Sequence, residues 1–210
     1  MIDDPVFCGL AVIFTFIFLL SVGSFFKIIP SLGDCVMRWK GNLDLEDSLQ
    51  LSGSRNWMVM VLFVPLCMFV YSHGLYQPDY MESLPPALGL AATCGTMLAY
   101  LVLRSFLNWQ LEMGAYRTKT FTAANHAFFN YIIILFLIVF PVGAILNISV
   151  GNKELTRVVL LHVIAVTYLF HIFRRGQIFA SACNPFTTFL YLCGLELLPT
   201  AVLVLSAKLL

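Results

Sequence analysis

Six long apolar runs, at about 5–26, 57–76, 85–107, 124–146, 155–173 and 186–207, dictate what this chain can become. Each is close to the ~20 residues a helix needs to cross a ~30 Å hydrocarbon core. Backbone amides in lipid find no water, so they must bond within their own helix or around a closed barrel. The runs are continuous rather than alternating, which excludes the barrel. The expected fold is all-α: a single transmembrane domain over residues 1–210, built as a polytopic bundle of six membrane helices. The fifth run is the shortest and is interrupted by His162 and His171. Only 11% of residues are charged, against ~25% in a soluble domain, so polar surface is too scarce to solvate a globule.

The first run resembles a signal peptide in carrying the small-x-small pattern Ser21-Val22-Gly23. Asp3 and Asp4 stand where a signal peptide carries basic residues, and the run is long for an h-region. It reads as a retained span; cleavage at residue 23 would leave five. Lys27, Arg38, Lys40, Arg55, Arg104, Arg117, Lys119, Arg174 and Arg175 fall on one side of the bundle, and Lys153, Arg157 and Lys208 on the other. This bias places loops one, three and five in the cytoplasm and both termini outside. In the 27–56 loop, Trp39 between Arg38 and Lys40 suits either a short helix at headgroup level or a solvated connector with one aromatic anchor. A net charge of +1 with no basic tract excludes nucleic acid as a partner. The six cysteines contain no Cys-x-x-Cys and lie mostly in apolar runs, where a thiol packs as a small hydrophobe. Neither disulfides nor zinc are expected.

Glu196 is the residue that most calls for explanation. It lies ten residues into the last run, ~15 Å deep at 1.5 Å per residue and so near mid-membrane. A charge at that depth costs ~2.5–3.5 kcal/mol on insertion scales and is usually neutralised, paired or turned to a wet interior. Pro199 three residues on removes a helical donor, and Gly194 loosens the same turn. A carboxyl beside a kink suits an ion or proton site, or a structural hydrogen bond to a neighbouring helix. His162 on span five and Thr96 on span three fall at similar depth and are the expected partners.

A second polar cluster is expected near the cytoplasmic face. Arg104, Asn108 and Glu112 recur every four residues along one helix stripe; His126 and Asn130 open span four, and His171, Arg174 and Arg175 close span five. These groups suit a pocket for an anionic headgroup or phosphate, or ordinary snorkelling at a positive boundary. His126 and His171 share a depth, the minimum geometry for a haem held between helices. No Cys-x-x-Cys-His is present and two histidines are a weak signal, so no cofactor or metal is expected, including a metal held by His126, His171 and Glu112. Ala91, Gly95 and Ala99 give the small-xxx-small spacing of close helix packing. No nucleophile elbow, zinc-protease motif or phosphate loop occurs.

The stretch Phe173-Arg-Arg-Gly through Asn184-Pro-Phe186, followed by Tyr191-Leu-Cys-Gly-Leu-Glu-Leu-Leu-Pro199, resembles a multi-pass membrane protein family of unknown function from Bacteroidetes. Tyr191, Leu192, Cys193, Leu195, Glu196 and Pro199 carry the likeness most closely, with Arg175 upstream a weaker correspondence. The resemblance implies a bacterial inner-membrane protein and supplies no activity. With short loops and no catalytic signature, the expected role is a non-enzymatic subunit or assembly partner in an envelope complex, in contact with membrane lipids and other membrane-protein subunits. The alternatives are a small proton-coupled transporter using Glu196, or a lipid- or haem-handling protein.

Overall fold

The computed structural model of the chain describes residues 5–112, 119–149 and 151–209. These residues are almost entirely helical and contain no strand. The chain runs through α1 (Pro5–Met37), the short α2 (Gly41–Asp47), α3 (Leu49–Ser72), the single turn α4 (Asp79–Glu82), α5 (Pro86–Glu112), α6 (Lys119–Ser149) and α7 (Lys153–Ala180). A composite last span follows: α8 (Pro185–Leu192), a π-helical segment (Cys193–Leu197) and α9 (Leu198–Leu209). Six helical stretches are long and apolar enough to cross a membrane. The protein is therefore an all-α, multi-pass integral membrane bundle.

Local chemistry sets the helix boundaries. Ser48, in an extended conformation, starts α3 by accepting from the amide of Leu51 at 3.4 Å. Asn152 starts α7 by accepting from the amides of Glu154 and Leu155 at 3.0 and 3.3 Å. Asn184 is extended because the next residue is Pro185, whose fixed φ opens α8.

Two boundaries differ from the expectation. α1 continues to Met37, and the short helix begins after Trp39, at Gly41. A side chain at Gly41 would meet the Asp34 backbone at 2.6 Å, so glycine lets the chain turn sharply there. Trp39 sits in that turn and packs against the cluster formed by Phe121, Ala124 and Phe179. α7 runs seven residues beyond the expected end of span five, so Arg174 and Arg175 lie within the helix rather than after it.

α3 is the central helix: 39% of its most apolar window is buried, against 11% for α1 and 17% for α5, α6 and α7. It packs on α1, α5 and α6, while α6 also makes the most extensive contact with α7. Lipid tails are as apolar as leucine, so close van der Waals fit rather than water exclusion holds such faces together. The close approaches fall at Gly143, where an added Cβ would lie 2.6 Å from Phe69, and at Gly89, where it would lie 2.6 Å from Tyr71. The Ala91, Gly95 and Ala99 stripe does not serve this purpose within the chain. All three are exposed, and nothing stands within 4 Å of a Cβ at Gly95.

Candidate functional site

The last span is interrupted where its sequence departs from a plain apolar helix. The Leu198 amide bonds to the Cys193 carbonyl, five residues back rather than four. Pro199 has no N–H to restore the tighter register, and Gly194 within the widened turn meets nothing within 4 Å of its missing Cβ. Single π turns of this kind recur at functional sites. Here the widened turn presents Glu196 to α5 and α7.

Glu196 is fully buried, and its carboxylate gathers three cationic or potentially cationic side chains. Arg104 of α5 is bidentate: its Nη1 donates to Oε2 at 2.8 Å and its Nη2 to Oε1 at 2.6 Å. Arg175 of α7 pairs with Oε1 as well. His171 Nε2, one turn before Arg175, lies 3.3 Å from the same oxygen. All four side chains are at most 4% exposed. The carboxylate thus ties span six to α5 and α7 by the strongest geometry available to a guanidinium.

Aromatic rings and hydroxyls complete the cluster. The Arg104 guanidinium stacks 3.5 Å over the Phe128 ring of α6. Tyr131 packs against His171 with ring centroids 4.6 Å apart. The Tyr168 hydroxyl donates to the Glu196 carbonyl at 2.9 Å and contacts the Thr200 hydroxyl at 2.7 Å, and Tyr100 lies 3.4 Å from the latter. Asn125 Oδ1 accepts from Arg175 Nη2 at 2.8 Å. Arg175 Nε and His171 Nδ1 are buried with no hydrogen-bond partner.

This geometry corrects the expected pairing. His162 is exposed and bonds the Val158 carbonyl of its own helix at 2.7 Å. Thr96 does the same with Ala92 at 2.9 Å. Neither contacts Glu196, whose level on α7 is that of Tyr168 and His171 and on α5 that of Arg104. The partners come instead from the group expected at the cytoplasmic face, so two clusters read as separate meet in one.

The remainder of that group goes elsewhere. His126 Nδ1 lies 2.8 Å from Glu46 Oε1, and Arg55, almost fully buried, donates to Glu46 Oε2 at 2.7 Å. Asn130 donates to Asn42 at 2.9 Å. These contacts fix α2 against α3 and α6. Burial pushes the Glu46 carboxyl up, but the hydrogen bonds from His126 and Arg55 outweigh it and hold the group at about 2, below its ordinary 4.5. Arg174 turns outward, donating to Gln177 at 2.8 Å and to the Met37 carbonyl at 3.0 Å. Asn108 is half-buried with its Oδ1 unpartnered, and the Glu112 side chain lies outside the described residues. His126 and His171 belong to different networks, which removes the basis for a haem between them.

Sequence reasoning missed Tyr168, Asn125, Glu46 and Arg55. Tyr168 precedes His171 by three residues and so shares its face, a signal that was available. Asn125 adjoins His126 and faces the ion cluster while its neighbour faces α2. Nothing in the sequence links Glu46 to His126, which lies 80 residues away.

The fold and site define a polytopic helical membrane protein with a buried ion cluster held between α5, α7 and a π-interrupted last span. The sequence matches no family model, no curated protein and no solved structure.

Proposed function

We propose that the protein is a small membrane carrier that binds an anion at Arg175, with Glu196 as the resident counter-charge of the neighbouring Arg104. The observation that supports this reading is the charge count of the buried cluster. Two guanidiniums face one carboxylate, so with a neutral His171 the site carries one surplus positive charge where a buried charge is expensive. A tie between helices needs one arginine. A second arginine with an unpartnered Nε suits a monoanion, which would bring the cluster to neutrality. Protonation of Glu196 would then free Arg104 as well and tighten anion binding, so that proton uptake couples to anion uptake and proton loss to its release. The π turn next to Pro199 supplies a compliant point at which α9 could shift.

Acetate, chloride and inorganic phosphate, compared at equal ionic strength, test the reading on the purified protein in mild detergent. At least one should raise the thermal midpoint of the wild type and leave that of Arg175→Met unchanged. If none shifts the wild type relative to the others, the carrier reading falls. The residue 173–199 resemblance and the Lys/Arg bias support placement in a bacterial inner membrane, with the face bearing Arg38 and Arg55 in the cytoplasm.

The reading as a subunit of an envelope complex rests on a different observation. Among the described residues only α2, α4 and short connections lie outside the spans. Recovery of the chain alone in a mild-detergent pull-down would count against it.

A further inference from the structure

Cys67 of α3 and Cys94 of α5 are brought together by the register of two neighbouring helices, with no sequence motif linking them. α3 and α5 are consecutive membrane spans and run antiparallel, so one turn back along the first is matched by one turn forward along the second. The close approach of Gly89 to the Tyr71 ring sets that register. Cys67 lies four residues before Tyr71, and Cys94 lies five residues after Gly89. The two thiols are within hydrogen-bonding reach of each other. Cys67 is 1% exposed and forms a small core with Phe7 and Leu90; Cys94 packs against that core, as do Phe63 and Met97 about one turn further along.

The surroundings decide what chemistry can reach the pair. α3 ends at Ser72, five residues beyond Cys67, and α5 begins at Pro86, eight residues before Cys94. At 1.5 Å per residue the sulfurs are carried ~7–12 Å in from those ends, within the hydrocarbon. The nearest charged residues on the two helices are Arg55 and Arg104, twelve and ten residues away. Neither helix therefore offers a counter-charge to a charged, water-borne oxidant. Cys94 is half-buried, and its neighbours Ala91, Gly95 and Leu98 are exposed, with nothing within 4 Å of a Cβ at Gly95. One edge of the pair is thus open to an apolar reagent that arrives through the membrane.

We propose that Cys67 and Cys94 are a reversible redox pair whose oxidant is a lipid-soluble quinone. Two S–H bonds break and one S–S bond forms; the quinone takes both electrons and both protons and leaves as the quinol. An acceptor of that class leaves no net charge behind, which matters where an unpaired charge is expensive. The disulfide ties α5, the helix that carries Arg104, to the central α3. The pair stands apart from the Glu196 cluster and does not depend on what binds at Arg175.

The test uses the full chain, reduced and reconstituted in liposomes of phosphatidylglycerol and phosphatidylethanolamine, with decylubiquinone or glutathione disulfide at equal concentration. Remaining thiols are alkylated, linked peptides are mapped by mass spectrometry, and quinone reduction is followed by absorbance. Decylubiquinone should join Cys67 to Cys94 with one quinol formed per disulfide, about tenfold faster than glutathione disulfide does, and dithiothreitol should restore both thiols. Cys94→Ala should abolish quinol formation. The absence of a disulfide with the quinone, a disulfide that engages Cys8 or any other cysteine instead, or oxidation by glutathione disulfide as fast as by the quinone would each overturn the assignment. The wild-type mapping needs no variant to fold.

Discussion

Substituting Glu196 by glutamine tests whether the buried cluster is unbalanced. The change keeps the side-chain shape but replaces one acceptor oxygen with an NH2 that faces guanidinium donors. Both hydrogen bonds from Arg104 (2.6 and 2.8 Å) lose their ionic partner, and a bond to a charged group contributes ~1.5–3 kcal/mol. Removing one member of a buried ion pair costs ~3–5 kcal/mol, because the other charge stays behind unpaired. Arg175→Met works the other way. It removes the surplus charge and leaves Arg104 and Glu196 as a neutral pair. Loss of the bonds to Asn125 and Glu196 costs ~1–3 kcal/mol each, and relief of a desolvated cation, several kcal/mol, offsets it. Arg175→Met should therefore fall within ~1 kcal/mol of the wild type, and the double variant should recover part of the Glu196→Gln loss. Unfolding by sodium dodecyl sulfate in mixed micelles, followed by the fluorescence of Trp39, Trp57 and Trp109, measures all three. If Arg175→Met destabilises as much as Glu196→Gln, the surplus-charge argument is wrong and both arginines are structural.

Three further outcomes follow from the same geometry. Because the Glu46 carboxyl is held at about 2 against an ordinary 4.5, its stabilisation is complete above about 4.5 and fades as pH falls toward about 2. Glu46→Gln should therefore flatten the acid side of the thermal-stability profile, and an unchanged slope between pH 5 and 3 would count against the α2 anchor. Gly143→Ala places a methyl 2.6 Å from the Phe69 ring and should destabilise by ~1–3 kcal/mol through overpacking, while Gly95→Ala, with open space around it, should be neutral in the same unfolding assay. Tyr168→Phe removes the hydroxyl bonded to the Glu196 carbonyl and should cost ~1 kcal/mol, with faster amide hydrogen exchange over residues 193–200 as the local readout; unchanged exchange would mean that the π turn holds without it.

The membrane spans were legible because lipid removes choices. A continuous apolar run of spanning length can satisfy its backbone only as a helix, and the six runs became six helical spans. The ends were less legible. α1 and α7 continue past their apolar limits, because a helix propagates into the interface until a turn such as Trp39-Lys40-Gly41 or Ala182-Cys183-Asn184 stops it.

The site was half legible, for a reason that lies in where the helices end. Depth counted from the ends of the apolar runs chose His162 and Thr96 for Glu196, yet α5 and α7 run on past those ends, and both side chains bond only their own helices. Arg104 sits eight residues beyond Thr96, ~12 Å along the axis at 1.5 Å per residue, and was assigned to the boundary on the premise that arginine snorkels toward water. Snorkelling holds when water is the best acceptor within reach. From the helix ends that the structure shows, Glu112, Ala180 and Pro185, Arg104, His171 and Glu196 lie eight, nine and eleven residues in, so the guanidiniums find a carboxylate at their own level and do not turn to water. Arg174, adjacent to Arg175 on the next face of the helix, reaches the Met37 carbonyl instead. Two neighbouring arginines on one helix thus take different partners, each set by the acceptors its own face offers.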